Sequence, residues 1–294
     1  MTEIGFIGLG RMGAPMAARL AAAGHAMTVL DVDAGAVQRF LADHPGKPAD
    51  TPRALAERAD VVITMLPTSA IVAEVLRGPA GALAGLKRGG LVIEMSSGAP
   101  VVTQQLAAEV AGAGGALVDA PVSGGVARAA TGELAIMVGG AADAVDAAEP
   151  VLKAMGTQVL RTGAVGTAHA MKALNNLVSA AGFLISVEAL LIGKRFGLDP
   201  AVMVDVLNAS TGVNNSTQKK LKPFVLSRSF DSGFSLELMV KDISIALGLA
   251  DESHVIAPLA AMTRNLWAEA LADGVGPDHT HAARLSERLA GIEL

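Results

Sequence analysis

The residues that decide the fold are Ile4-Gly5-Phe6-Ile7-Gly8-Leu9-Gly10-Arg11-Met12-Gly13-Ala14-Pro15. A short apolar run, Ile4–Ile7, meets a glycine-rich turn. A segment with apolar residues at helical spacing follows, from Pro15 to Ala23. Strand, glycine loop and helix in that order have a physical use. The first glycine permits a tight turn, the second lets backbone N–H groups approach a pyrophosphate, and the third lets helix pack on strand. The helix start then presents unpaired N–H groups and the positive end of its dipole. In a chain with 33 glycines the spacing alone is a weak signal, and the flanking strand and helix give it weight.

Working outward, short apolar runs alternate with helical patterns. The spacing predicts strands over Ile4–Ile7, Ala26–Leu30, Val61–Leu66, Leu91–Met95, Ala116–Val118 and Leu134–Val138. Between them it predicts helices that include Ala34–Ala42, Ala70–Leu76 and Val101–Ala111. Near-continuous apolar strands between helices indicate a doubly wound parallel sheet buried on both faces. Asp31 closes the second strand, 18 residues past Gly13, where a carboxylate can accept from ribose hydroxyls and repel a 2′-phosphate. NAD is therefore expected rather than NADP. Asp33 reads as the N-cap of the next helix.

After Gly163 the texture changes. Ala164 to about Arg195 has no proline and recurs at helical spacing, a helix of about 45 Å. Further helical patterns cover Pro200–Ala209, Ser216–Val225, Leu236–Glu252, Pro258–Ala272 and His281–Gly291. The expected division is an α/β domain over 1–163 and an all-helical domain over 164–294. A long helix this apolar needs cover, so a homodimer or homotetramer built through the helical domain is expected.

Hydrophobic residues make up 51% of the 294 residues and charged ones 17%, which excludes disorder. The net charge of −5 offers no footprint for nucleic acid, whose binding needs clustered cations. No cysteine is present, so thiolate metal sites, disulfides and cysteine nucleophiles are excluded. The start, Met1-Thr2-Glu3, is acidic where a signal peptide is basic. The apolar stretch Val178–Gly193 is interrupted by Glu188 and is short of the roughly 20 residues of a membrane span. A cytoplasmic protein with no membrane partner is expected.

Two more segments carry chemistry. Ser123 and the N–H groups of Gly124 and Gly125 can form a nest for a carboxylate, or simply a turn. Lys172 sits inside the long apolar helix, where charge is costly without a use, with Asn175 and Asn176 at i+3 and i+4 on its face. Such a lysine can exchange a proton with a substrate hydroxyl, or it can snorkel from the helix.

Together, in this order and spacing, these segments resemble the β-hydroxyacid dehydrogenase family. The matching stretches are Gly8–Gly13 with Ala14–Ala17, Val118–Gly125, Gly163–Asn176 and Lys241–Ala246. The resemblance covers essentially the whole chain. It implies a Rossmann-type NAD-binding domain, joined by the long helix to an all-α domain for substrate and oligomerisation. It implies that Lys172 is the catalytic general acid and base, and that Ser123, Gly124, Gly125, Asn175 and Asn176 hold the substrate. Gly8, Leu9, Gly10, Arg11, Met12, Gly13 and Asp31 would hold the cofactor, with Met65, Leu66, Pro67, Ser96, Ser97 and Lys241.

The activity implied is reversible hydride transfer between NAD and a short 3-hydroxy acid of the 3-hydroxyisobutyrate kind. Reduction of tartronate semialdehyde or sulfolactaldehyde is the alternative within the family. Imine reduction, the activity of another related group, and a non-enzymatic dinucleotide-binding module are the further alternatives. Ser179 stands where 6-phosphogluconate dehydrogenases carry a glutamate seven residues after the lysine, which argues against oxidative decarboxylation. Imine reductases usually replace the lysine, and this chain keeps it. No metal site is expected: His169 reads as structural, and His279 and His281 read as surface residues. The loop Ser210–Ser216 either reaches the substrate's tail or caps the next helix, and Phe230 to Phe234 can wall the same pocket.

Overall fold

The computed structural model describes residues 2–294, in two compact units that divide between Lys172 and Ala173. The expected boundary at Gly163 lies just before the helix inside which this division falls. The first unit opens with β1 (Glu3–Ile7), α1 (Gly13–Ala22), β2 (Ala26–Leu30), α2 (Ala34–Asp43), β3 (Lys47–Pro48) and α3 (Pro52–Ala56). It continues through β4 (Val61–Thr64), α4 (Ser69–Leu76), β5 (Leu91–Glu94), α5 (Pro100–Gly112) and β6 (Ala116–Asp119). Then come β7 (Val122–Ser123), α6 (Gly125–Thr131), β8 (Leu134–Gly139), α7 (Ala142–Lys153) and β9 (Gly156–Gly163).

The sheet order is β3-β2-β1-β4-β5-β6-β8-β7, with β9 on β8. Alternation along the strands sends Ile4, Phe6, Ile63 and Ile93 into a core with Met16 and Leu20 of α1. It sends Ile7, Val62 and Val92 into a second core with Leu55, Leu76 and Leu106. Both faces are therefore covered, which is why the strands read as continuous apolar runs. The order reverses between β1 and β4, the switch point where such sheets leave a crevice beyond their C-terminal ends.

Beyond β6 the sheet departs from the parallel expectation. β8 runs antiparallel to β6 and to β7, with Val122 opposite Ile136. The link from β7 to β8 holds only the seven-residue α6, shorter than the dozen or so residues a parallel crossover needs.

In the second unit, α8 (Thr167–Phe196) enters from the first and is followed by α9 (Pro200–Asn208), α10 (Asn215–Lys219), α11 (Leu236–Glu252), α12 (Pro258–Ala272) and α13 (Ala282–Ala290). The long helix starts at Thr167 rather than Ala164 because Gly163 and Gly166 hold φ of 129° and 91°, outside helical space. The helix expected over Ser216–Val225 is split into α10 and a π-helical turn, Leu221–Leu226. Pro223 lies in that turn and lacks the N–H that an uninterrupted helix requires. Phe183, Val187 and Leu190 of α8 pack with Val204, Ile243 and Trp267 in one core.

By length and composition α8 is able to cross a membrane: it has 30 residues, a best 18-residue window of mean hydropathy 1.7, and 50% of that window buried. Val178, Ile185 and Ile192, seven residues apart, form a stripe left more than half exposed.

Candidate active site

In the first unit the glycine turn fits the phosphates of a dinucleotide. Gly8 takes φ 103°, and a Cβ there would stand 2.3 Å from the Met65 carbonyl oxygen. A Cβ on Gly13 would stand 1.8 Å from the Gly8 carbonyl oxygen, so α1 packs against the turn only because Gly13 has none. Nothing lies within 4 Å of the same position on Gly10, and Gly10 and Arg11 are exposed. Asp31 closes the turn from β2, accepting from the Leu9 amide at 2.5 Å and the Asp33 amide at 2.8 Å. Asp33 caps α2, accepting from the Gly35 amide, as expected.

Two neighbouring strand ends are tied together. The Leu66 amide donates to Ser96 Oγ at 2.9 Å, so the loop after β4 hangs on the loop after β5. Ser96 is 1% exposed and all its polar groups are engaged: its amide donates to Glu94 and its carbonyl faces His169. Ser96 thus supports the loop, while Ser97 beside it is half-buried and Pro67 is exposed. Ser123 ends β7, and Gly124 and Gly125 follow at φ 139° and 71°, their backbone exposed. A Cβ on Gly124 would press on the Arg128 side chain, 2.8 Å from its Cδ.

Beneath these loops lies a buried cluster that the sequence reading did not connect. Glu94 at the end of β5 and Asp119 at the end of β6 face each other across the strand register, both under 3% exposed. His169 in the first turn of α8 sets Nε2 2.9 Å from Glu94 Oε2 and 3.0 Å from the Ser96 carbonyl. Asp119 accepts from the Gly166 amide at 2.7 Å and the His169 amide at 2.9 Å, capping the helix start. Burial opposes charge on Glu94, yet the His169 charge and hydrogen bonds from His169 and Ser96 hold its carboxyl below its ordinary value. Burial pushes the Asp119 carboxyl up against the same imidazole. Burial also works against a charged His169, and Glu94 and Asp119 overcome it, raising the imidazole above its ordinary value.

Lys172 follows His169 by three residues on α8 and is half-buried. In the second unit, Asn175 and Asn176 continue that face. Asn175 Nδ2 donates to Asn176 Oδ1 at 3.2 Å, and Asn176 Nδ2 donates to Asp242 Oδ2 at 2.6 Å. Lys241 Nζ stands 3.4 Å from Asp242 Oδ1. Asp242, 2% exposed, therefore links three of the expected site residues. Its signal in the sequence is its place beside Lys241 in the stretch Lys241–Ala246.

Other expectations resolve differently. Asn214 accepts from the Ser216 and Thr217 amides in a capping box, so this part of the loop caps α10. His279 is not a surface residue: it is 5% exposed among Phe183, Phe234 and Trp267. Burial and the nearby Lys220 charge lower its pKa to about 4. His281 stacks on Phe230 at 4.9 Å and is half-buried.

Known proteins resemble this chain along nearly its whole length. Residues 3–164 match the family described as the NAD binding domain of 6-phosphogluconate dehydrogenase. Residues 166–286 match NAD-binding of NADP-dependent 3-hydroxyisobutyrate dehydrogenase. The chain is 38% identical to 3-sulfolactaldehyde reductase of Escherichia coli K12, over 94% of this chain and 92% of that one. It is 37% identical to human mitochondrial 3-hydroxyisobutyrate dehydrogenase, over 93% and 83%. Among solved structures, Mycobacterium tuberculosis 3-hydroxyisobutyrate dehydrogenase with L-serine superposes with a TM-score of 0.89 at 33% identity, covering 97% of this chain and 98% of that one. The chain belongs to the β-hydroxyacid dehydrogenase family. It is an NAD(P)-dependent oxidoreductase acting on the CH–OH group of a small hydroxy acid.

Proposed function

We propose that this enzyme interconverts a short 3-hydroxy acid of the 3-hydroxyisobutyrate kind and its semialdehyde, with NAD as cofactor and Lys172 as the general acid and base. The observation that carries this reading is the polar face of α8. Lys172, Asn175 and Asn176 lie within about one turn of an otherwise apolar helix, and Asn176 is locked by Asp242 at 2.6 Å. When bound, the nicotinamide supplies or takes up the hydride. Gly8–Gly13 would hold the phosphates and Asp31 the ribose, with Met65-Leu66-Pro67 and Ser97 along the cofactor and Lys241 at its nicotinamide end. In oxidation Lys172 accepts the hydroxyl proton; in reduction it returns a proton to the carbonyl oxygen as the alcohol forms. Ser123 and the Gly124 and Gly125 amides receive the substrate carboxylate, and Asn175 and Asn176 orient it.

Asp31 supports NAD, because its carboxylate would repel a 2′-phosphate, and the nearby Arg39 is paired with Asp33 at 3.0 Å. In this reading the first unit binds the cofactor and the second contributes to substrate binding. The Val178–Ile185–Ile192 stripe supports self-association into a homodimer or homotetramer, in the cytoplasm. Sedimentation as a monomer at micromolar concentration would remove the assembly.

The test is reduction of NAD and of NADP over a panel of short 3-hydroxy acids, with tartronate semialdehyde and sulfolactaldehyde tried in the reverse direction. Lys172→Ala serves as the control. Turnover of one hydroxy acid with NAD, lost by at least about a hundredfold in Lys172→Ala while NADH still binds, is the expected result. Preference for sulfolactaldehyde would replace the substrate, and preference for NADP would replace the cofactor.

A further inference from the structure

His169 is 1% exposed, and the reaction described above gives it no part. Its Nε2 faces the Glu94 carboxyl and the Ser96 carbonyl, and a carbonyl only accepts, so Nε2 carries a hydrogen. Its Nδ1 lies 2.8 Å from Thr103 Oγ1, and that hydroxyl has its own acceptor, the Ala99 carbonyl oxygen at 3.1 Å. With the hydroxyl hydrogen directed to Ala99, Nδ1 donates as well; this doubly protonated ring is the arrangement that two facing carboxylates favour. The charged groups facing it are Glu94 from β5 and Asp119 from β6, whereas α5 contributes the neutral Thr103. Gly98 completes the enclosure, since a Cβ there would stand 3.1 Å from the imidazole Cε1.

Three pieces of backbone converge on this one residue. Its ring holds the Ser96 carbonyl in the loop after β5, and Ser96 Oγ in turn holds the Leu66 amide in the loop after β4. Its own amide holds α8 to Asp119 at the end of β6. Lys172 follows three residues later on the same helix.

We propose that His169, held as an imidazolium between Glu94 and Asp119, is a positioning residue for Lys172 that ties the Met95–Gly98 segment and the first turns of α8 into one rigid piece. Lys172 and Ser97, the residue after Ser96, then keep a fixed register, so the proton-transferring group does not drift with the motions of either loop. This rests on the reading of Lys172 as the group that moves the proton.

The variants are His169→Gln, which keeps one N–H toward Glu94 but loses the cation, and Thr103→Val, which removes the acceptor of Nδ1 together with the hydroxyl's bond to the Ala99 carbonyl. Both are compared with the wild type as the intact chain, with Lys172→Ala as the reference for lost chemistry. In His169→Gln, kcat is expected to fall about 10- to 100-fold with KM values for cofactor and hydroxy acid changed less than about 3-fold. The midpoint of the kcat–pH curve should move, which a role in stability alone would not cause. Hydrogen exchange should show the amides of residues 96–98 and 169–173 losing protection together. Thr103→Val should show the same signs more weakly, and it carries the test if His169→Gln does not fold.

A folded variant with wild-type kcat per cofactor site and an unmoved pH midpoint overturns the proposal. So does unchanged exchange in the two segments. If the wild type turns over no hydroxy acid, the reading of Lys172 fails separately. Exchange then decides the clamp by itself: joint loss of protection supports it, and independent or absent loss removes it.

Discussion

His169 and His279 are buried to similar depth, one in each unit, and their surroundings drive them in opposite directions. His169 is raised despite burial because Glu94 and Asp119 face it. His279 is lowered to about 4, although Asp278 Oδ1 stands 3.5 Å from its Nδ1. The difference lies in the charges facing each ring: Glu94 and Asp119 both favour the charged His169, whereas at His279 Lys220 opposes Asp278. Asp278 accepts from Ser232 Oγ, the Gly233, Phe234 and Thr280 amides, and Thr280 Oγ1, so neutral donors already satisfy it. Three aromatic rings and the Lys220 charge occupy the rest of the cage. Burial beside an acid therefore does not decide whether a histidine is charged; the charges that face it do, two carboxylates at His169 against one carboxylate and a lysine at His279.

The largest break in this contrast is expected from Glu94→Ala. It leaves the His169 imidazolium without its nearest counter-ion and should cost about 3–5 kcal/mol of unfolding free energy in guanidinium titrations at neutral pH. A cost below about 1 kcal/mol would make His169 a neutral ring and remove the contrast.

The pH dependence sharpens it, with opposite signs for the two residues. For His169 the folded value is raised, so its contribution is full below 6.5 and is lost as pH rises through the folded value. For His279 the folded value is lowered, so stability is lost as pH falls from 6.5 toward about 4. His279→Phe should abolish that acid-side loss, roughly 3 kcal/mol between urea titrations at pH 7.5 and about 4. An acid limb that keeps its slope in the variant would assign it to carboxylates instead.

Ser232→Ala removes one neutral donor from Asp278 and one partner from His279 Nδ1, 2.9 Å away. It should cost about 1–2 kcal/mol and raise the His279 value in an NMR titration, since Asp278 is less satisfied. An unmoved titration would mean that Thr280 and the backbone donors suffice. Asn214→Ala, at the capping box of α10, should cost about 1 kcal/mol with no pH dependence, because no ion is involved.

Sequence pattern revealed elements where apolar periodicity was long and missed them where pairing alone defines the element. The ranges Ala26–Leu30, Leu236–Glu252 and Pro258–Ala272 coincide with the observed elements, because each has an uninterrupted apolar pattern. β7 is two residues held by its partner strand, and β9 lies largely exposed with no apolar run to announce it. α7 carries Pro150 inside an alanine-rich stretch, which weakens a helical reading. The glycine turn was legible because Gly8 and Gly13 answer local steric needs that no other residue type meets. Glu94, Asp119 and His169 were not, since residues 94 and 169 meet only through the sheet register and the helix start. Asp242 was not legible either, because its partners Asn176 and Lys241 lie on two helices that only the fold brings together. His279 was misread because His-x-His in a polar segment says nothing of the aromatic rings that come to surround it.

The thirty residues of α8 also bear on how the chain is made. The helix ends at Phe196 in a chain of 294, so 98 residues that supply most of its cover follow it. At roughly 5–20 residues per second, ribosomes need about 5–20 s to deliver them. Over that interval an apolar helix with the length and hydropathy of a membrane segment is made ahead of Val204, Ile243 and Trp267, which pack against it. The price of this core is a nascent chain that depends on prompt capture by chaperones, and slowing translation beyond Phe196 should raise the insoluble fraction of newly made protein.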